Sequence, residues 1–379
     1  MTALSEPYAE HFVTRSGVYL LSHSVGLPVT RTRAAIDDYL SVWESDPAHA
    51  WPHWLSTVDG FRDELAHLIG GERASVCPQS NVSSSLTKIL GALRSTFGIE
   101  NPTIVMTEDA FPSLGYVCKR SGYRVRYIER GQDASDLDLW DHHLGNGVDV
   151  ALITHVHSNT GELLPAASIT KITRARGIVS VVDVAQSAGI IPINVNTWSA
   201  DFIIGSCVKW LSGGPGAGWL WAAPETIGRC HPTDVGWFSH AEPFEFDIHS
   251  YRDADDALRF WGGSPTVLPF AVARTAVETI ADIGVDTIRS ANLALTDLLI
   301  DRLGDRVVSP HPAERRSGTC IVAADAQCVD QLLNVGVEVD HRPSGLRLSP
   351  HVHTTPSDLE VVVDLIGGSP MPKLNITAR

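Results

Sequence analysis

Lys209 stands in GSCVKWLSGGPGAGWLW, residues 205–221, between an apolar approach and a dense run of glycines. Earlier in the chain, VVDVAQSAG carries Asp183 at the end of an apolar stretch. A lysine amine in an apolar setting attacks carbonyl carbon and forms Schiff bases. An aspartate at a nearby strand end can sit on a pyridine nitrogen, keep it protonated and turn the ring into an electron sink. Together the two residues are what pyridoxal phosphate chemistry requires. A surface role does not suit Lys209, flanked by Cys207-Val208 and Trp210-Leu211. Asp183 taken alone reads equally well as a helix N-cap at a strand end; Lys209 tips the balance.

The elements that must hold these two residues follow from periodicity. Helical spacing appears near 31–46, 55–69, 81–95 and 166–176. Apolar, strand-like runs appear at 103–107, 149–154, 178–183, 201–205 and 217–222. Continuous apolar strands alternating with helices predict a largely parallel sheet covered on both faces, in an α/β fold. Ligands of such sheets bind beyond the carboxyl ends of the strands, where Asp183 and Lys209 fall. After Ser264-Pro265 the pattern changes to one or two long helices over 268–303. A smaller αβ unit follows: a strand near 318–323, a helix near 326–334, a strand near 345–349 and a helix near 356–366. The expected division is a large domain over 30–265 and a small one built from 1–29 and 266–379. The tail from Gly367 reads as mobile.

A chain of 379 residues is long enough for more than one domain, since single cores stop growing at roughly 250–300 residues. Hydrophobic residues make up 44% and charged residues 19%, which excludes a disordered chain. A formal charge of −15 argues against nucleic acid or an anionic membrane as partner. The start MTALSEPYAEHF has neither the basic nor the apolar region of a signal peptide, and no apolar run could span a bilayer. The 6 cysteines are scattered without a CxxC pair and read as reduced, buried thiols, so a cytoplasmic protein is expected. Gly213–Gly218 lacks the GxGxxG spacing of a nicotinamide site.

Asp183-Val-Ala-Gln186, the Lys209 segment and its glycine run resemble class V, fold-type I pyridoxal-phosphate enzymes. Other stretches resemble the kynureninase family more narrowly: Tyr19-Leu-Leu-Ser-His-Ser-Val-Gly26, Phe111-Pro-Ser113, Val235-Gly-Trp-Phe-Ser-His240 and Gly263-Ser-Pro265. These matches run from about residue 17 to about 365. The resemblance implies the fold-type I fold, with a mostly parallel seven-stranded sheet in the large domain and a small α+β domain. It also implies cleavage of L-kynurenine or a substituted kynurenine to an anthranilate and L-alanine, in a homodimer with shared active sites.

Site roles follow from the same resemblance. Lys209 would bind the cofactor and later move the Cα proton, with Asp183 on the ring nitrogen and Gln186 near the phenolic oxygen. Val82 (through its backbone) and Ser83 would hold the phosphate, although Ser80–Ser85 alone reads also as plain helix capping. Phe111 would stack on the ring, with Ser113 beside it. Thr154 and His157, on a loop after a strand, would approach the phenolic oxygen; a solvated loop histidine is an equal reading of His157. Trp237 and Ser264 would reach the phosphate region, one or both from a partner subunit. Arg347 would bind the substrate carboxylate, with Arg342 as second choice, and His23 and Ser24 would face the substrate side chain.

Four positions depart from the kynureninase pattern. Gln186 stands for histidine, Val208 for the tyrosine before the lysine, Leu114 for aspartate and His23 for asparagine. Gln186 is what desulfurase-like and epimerase-like members of the class carry. The departures point to a modified substrate or reaction, so elimination, desulfuration, epimerisation, transamination or cyclisation stands as the alternative.

Overall fold

The computed structural model describes residues 6–13, 15–98 and 101–369. The expected mobile tail lies outside these residues from position 370 onward. Twelve strands are described in chain order: β1 Val18–Tyr19, β2 Val76–Gln79, β3 Thr103–Thr107, β4 Arg124–Ile128, β5 Val150–Thr154, β6 Val179–Asp183, β7 Phe202–Ser206, β8 Gly218–Ala222, β9 Cys320–Val322, β10 Val337–Glu338, β11 Asp340–Arg342 and β12 Gly345–Leu348. The α-helices are α1 Thr32–Ser45, α2 Ala50–Leu68, α3 Val82–Phe97, α4 Pro112–Arg120, α5 Leu137–His143, α6 Ala166–Ala175, α7 Pro224–Ile227, α8 Leu268–Ile283, α9 Val285–Leu303, α10 Ala326–Asn334 and α11 Pro356–Gly368.

Seven strands form one sheet in the order β2-β8-β7-β6-β5-β3-β4. β4, β3, β5, β6 and β7 run parallel, while β8 is antiparallel to both neighbours. The two strands that periodicity missed are its edges. β4, RVRYI, alternates charged and apolar residues because only one of its faces is covered. β2, VCPQ, contains Pro78, which suits an edge strand that need not donate on both sides.

Period-two alternation fills both faces of the central strands. Ala151, Ile153, Val182 and Ile203 enter one core with Val58, Phe61 and Leu65 of α2. Leu152, Val181, Phe202 and Ile204 enter the other with Leu86, Ile89, Leu90 and Leu93 of α3. Burial on both faces is why these runs read as continuous apolar strands. Phe270, Ala273, Val277 and Ile280 of α8 join the first core.

A break at Gly284, with φ of 86°, divides 268–303 into α8 and α9. A third cluster gathers Leu295, Leu299 and Leu303 of α9 with β9, β12 and α11. There β11, β12 and β9 make an antiparallel sheet. β1 pairs with β10, and Leu20 lies in the third cluster, so the N-terminal segment is threaded into this unit.

Several histidines are buried without charge. His155 bonds Ser187 through Nδ1 at 2.8 Å and packs edge-on to Trp198. His353 stacks on His351, which stacks on Trp210. Burial pushes His155 down to about 3 and His353 to about 4. In the unfolded chain each takes its proton near pH 6.5. The unfolded state therefore binds more protons between about pH 6.5 and 4, and stability falls as pH drops through that window. A loss on the order of 2 kcal/mol per such histidine is expected by pH 5. Urea midpoints at pH 7 and pH 5 test this, with His155→Gln reducing the difference; an equal midpoint at both pH values would contradict it.

Candidate active site

The site assembles at the carboxyl ends of the parallel strands. Register pairs Thr154, the last residue of β5, with Asp183, the last of β6. Thr154 thus sits on the strand rather than on the loop expected for it, and its buried Oγ1 has no hydrogen-bond partner among the described residues. Asp183 is buried, and its Oδ1 accepts the Ala185 amide at 2.9 Å. Burial raises its pKa, against the Ala185 amide and the charge of Lys209.

Lys209 lies in the connection from β7 to β8. Ser212 donates its amide to the Lys209 carbonyl at 2.9 Å, and Gly213 donates to Cys207 at 2.7 Å. Burial lowers the pKa of the Lys209 amine; Asp183 opposes this and Arg347 adds to it. The amine is thereby drawn toward its neutral, nucleophilic form. It stands 5.8 Å from the centroid of the Phe111 ring, whose side chain is about half exposed (53%).

The N-terminal segment closes over this group. Gly26 donates its amide to the Val208 carbonyl at 2.8 Å. Gln186 donates Nε2 to the His23 carbonyl at 3.1 Å. His23 is buried; its Nδ1 lies 2.6 Å from Ser349 Oγ and its Nε2 lies 3.6 Å from Asp340. Burial, only partly offset by Asp340, takes His23 down to about 4, so the ring is neutral near pH 7. Ser24 is exposed beside it.

Arg347, on β12, is also buried. Its Nε donates to Asp340 at 2.9 Å, its Nη2 to the same oxygen, and its Nη1 to the Ser158 carbonyl at 3.2 Å. Arg342 is exposed and reaches Asp340 from the outer side at 3.2 Å. Of the two arginines, the buried one faces Lys209.

His157 is buried, with Nε2 2.9 Å from Thr107 Oγ1, so the solvated-loop reading falls. Its Nδ1 has no hydrogen-bond partner among the described residues. α3 opens directly after β2, with Asn81 as N-cap accepting the Ser84 amide at 2.9 Å. Val82 and Ser83, as the first two helical residues, have amides that the helix itself cannot satisfy. Ser113 is half-buried in the first turn of α4.

Trp237 donates Nε1 to Ser264 at 3.2 Å and stacks among Trp51, Phe238, Phe244 and Phe246. Among the described residues no hydrogen bond or aromatic contact joins this pair to the Lys209 group. A cavity of about 360 Å³ opens beside Phe111, lined in part by Asp109, Tyr116, Tyr127, Arg130, Ser158 and Asn159. Lys209, Asp183 and Arg347 do not line it.

Asp340, Ser158 and Ser349 escaped the sequence reading. For Asp340 a signal existed: Pro343-Ser344 closes a two-residue hairpin whose register sets Asp340 opposite Arg347.

The model of the aminotransferase class-V family matches residues 18–339. Kynureninase of Deinococcus radiodurans is 30% identical over 359 residues, covering 89% of this chain and 86% of that protein. An uncharacterised aminotransferase of Bacillus subtilis is 26% identical and spans 98% of this chain and all (100%) of that one. Among solved structures, the apo cysteine desulfurase of Thermococcus onnurineus NA1 superposes with a TM-score of 0.84 at 18% identity, covering 96% of this chain and 98% of that one. A cystine C-S lyase in complex with cysteine persulfide also gives 0.84, at 19% identity, covering 94% of this chain and 98% of that one.

The chain belongs to the class-V aminotransferase family, and it has the fold of the pyridoxal-phosphate enzymes of that class. Its cofactor is pyridoxal phosphate. The residues present fit that group: a half-buried lysine amine, a buried carboxylate, unpartnered polar atoms on Thr154 and His157, and free amides at the start of α3.

A Cβ at Gly26 would lie 2.2 Å from the Lys209 carbonyl oxygen and 2.6 Å from Ser212 Oγ. Gly26→Ala must therefore displace the lysine turn, at a cost of about 1–3 kcal/mol. Cofactor affinity is expected to fall about fivefold to hundredfold, measured by absorbance titration. Unchanged affinity would show that the segment can yield without moving Lys209.

Proposed function

We propose that the protein is a kynureninase-like hydrolase that cleaves an α-amino acid with a γ-carbonyl side chain, L-kynurenine or a substituted kynurenine, into an anthranilate and L-alanine. The observation that carries this reading is the single group of half-buried Lys209 with buried Asp183 and Arg347, in a chain whose similarity to kynureninases spans most of its length. When bound, the cofactor supplies an electron sink for negative charge at the substrate Cα.

In this reading Lys209 holds the cofactor and then, as an amine whose pKa burial lowers, takes and returns the Cα proton. Asp183, buried beside Lys209 and accepting the Ala185 amide, is matched to a cationic ring nitrogen. The free amides of Val82 and Ser83 and the positive end of α3 hold the phosphate. Phe111 stacks on the ring with Ser113 at its edge, and Thr154, His157 and Gln186 approach the phenolic oxygen. Arg347 orients the substrate carboxylate, and His23 and Ser24 face the side chain. Trp237 and Ser264 serve the phosphate of a partner subunit, in a homodimer with shared sites; that no hydrogen bond or aromatic contact joins them to the Lys209 group among the described residues supports this.

A second reading, another class-V reaction, has its own support. Val208 brings no phenol next to Lys209, and Gln186 is engaged with the His23 carbonyl. A desulfurase that works through a cysteine nucleophile is the least supported version. All six cysteines are buried, and burial pushes Cys77, Cys118 and Cys320 up to about 12.

Lys209→Ala is expected to abolish the visible band of the lysine-linked cofactor; an unchanged spectrum would sink the assignment. Adding L-kynurenine or 3-hydroxykynurenine to the purified holoenzyme should release an anthranilate-type product and alanine. A visible band without cleavage would favour the second reading. Arg347→Ala should lower kcat/KM by about 30–1000-fold, the equivalent of roughly 2–4 kcal/mol for a lost bidentate carboxylate contact. A loss under about threefold would move the carboxylate role away from Arg347.

A further inference from the structure

Arg347 is a buried cation, and a buried guanidinium needs partners that fix both its charge and its orientation. The hairpin β11–β12 provides one by register: Asp340 is the residue directly across from Arg347. Cross-strand neighbours lie close enough for side chains to meet without any loop adjustment. Asp340 accepts from Nε and Nη2, the pair that forms one edge of the guanidinium plane, through a single oxygen. The Ser158 carbonyl takes a third donor, on Nη1. A guanidinium has five N–H donors, so these three bonds leave two unassigned, one on each terminal nitrogen.

Asp340 is itself held. His23 Nε2 faces it at 3.6 Å, and Arg342 bonds it from the solvent side at 3.2 Å. The His23 ring is fixed in turn by Ser349 Oγ at 2.6 Å, and Ser349 by Thr319 Oγ1 at 2.8 Å. This chain suits one tautomer: Ser349 donates to Nδ1, and Nε2–H points at the carboxylate. The nearby His23 ring and the hydrogen bonds from Arg347 hold the Asp340 carboxyl well below the usual carboxylate range, so it stays charged. Asp340 therefore joins strand β11, the N-terminal segment and the arginine in one arrangement.

We propose that Asp340 is the positioning residue of Arg347: it holds the Nε–Nη2 edge of the guanidinium so that a substrate α-carboxylate meets the two remaining N–H groups in one orientation. The proposal rests on the reading of Arg347 as the carboxylate site. Asp340 does not touch the substrate. It acts by removing the rotational freedom of the guanidinium and by balancing a positive charge that lies close to Lys209. The charged and titratable groups facing Asp340 are Arg347 and Arg342 from the hairpin and His23 from the N-terminal segment; those facing Lys209 are Asp183, Arg347 and His23.

The test compares two amines of the same skeleton, L-alanine and ethylamine, which lacks the carboxylate. Each is titrated into the purified holoenzyme, with dissociation constants read from the change in the visible band. Asp340→Asn is expected to weaken L-alanine by about tenfold or more and ethylamine by less than about threefold. Asp340→Glu, which keeps the charge, should recover part of the loss. Without any amine present, Asp340→Asn should also shift the pH midpoint of the band downward, because an unbalanced Arg347 disfavours a proton at Lys209; adding Arg347→Gln should reverse that shift.

Equal weakening of both amines would make Asp340 merely structural and overturn the proposal, as would an alanine constant within about threefold of the wild type. Tighter alanine binding would overturn it too, by showing that Asp340 masks the arginine. Arg347→Ala separates the two readings. If it leaves the alanine constant unchanged, the carboxylate role of Arg347 fails and Asp340 falls with it. If it weakens alanine while Asp340→Asn does not, only the role of Asp340 falls.

Discussion

The structure depends on keeping one amine and one carboxylate out of water at the same end of a sheet. Asp183 is buried and Lys209 half-buried, and loss of solvent moves each toward its neutral form: the lysine pKa falls and the aspartate pKa rises. Each charge relieves the other only in part, so the pair is most comfortable with a cationic heterocycle between them. That requirement explains the surroundings. Continuous apolar strands, covered on both faces, supply the low-dielectric setting, and parallel register brings Asp183 beside Thr154 without any loop to adjust.

The lysine turn is shaped from two directions. From the sheet, the glycine run lets the chain return from β7 into the antiparallel β8 while Gly213 and Ser212 bond back to Cys207 and Lys209. From the N-terminus, residues 22–26 lie against the turn so closely that Gly26 has no space for a side chain. The same segment carries His23 between Gln186 on one side and Ser349 and Asp340 on the other. One short stretch thus touches the lysine turn, the loop after β6 and the arginine hairpin, and ties the small sheet to the large one at the place where a substrate would bridge them.

Similarity and chemistry bear on different levels of description. Likeness to desulfurases and a C-S lyase is a likeness of fold, shared at under a fifth of positions. Likeness to kynureninases extends to the sequence itself, at 30% identity over 359 residues. Leu114, on α4, is packed in the second core. The His23 ring is bonded to Ser349 and faces Asp340.

Local sequence by itself determined the central strands, the helices that cover them and the lysine–aspartate pair, because continuous apolar runs, helical spacing and a lone lysine between apolar neighbours are signals within a few residues of each other. It did not reveal β2, disguised as loop by Pro78, or β4, disguised by one-sided burial, and it assigned Thr154 to the loop after its strand. The pairing of Asp340 with Arg347, the burial of His157 and the closure of residues 22–26 over Lys209 were decided only by tertiary structure. Each joins segments whose neighbours in sequence say nothing of their neighbours in space. His157 reads as a loop residue until Thr107 of another strand is beside it, and His23 reads as one polar residue among several until the hairpin carrying Arg347 folds against it.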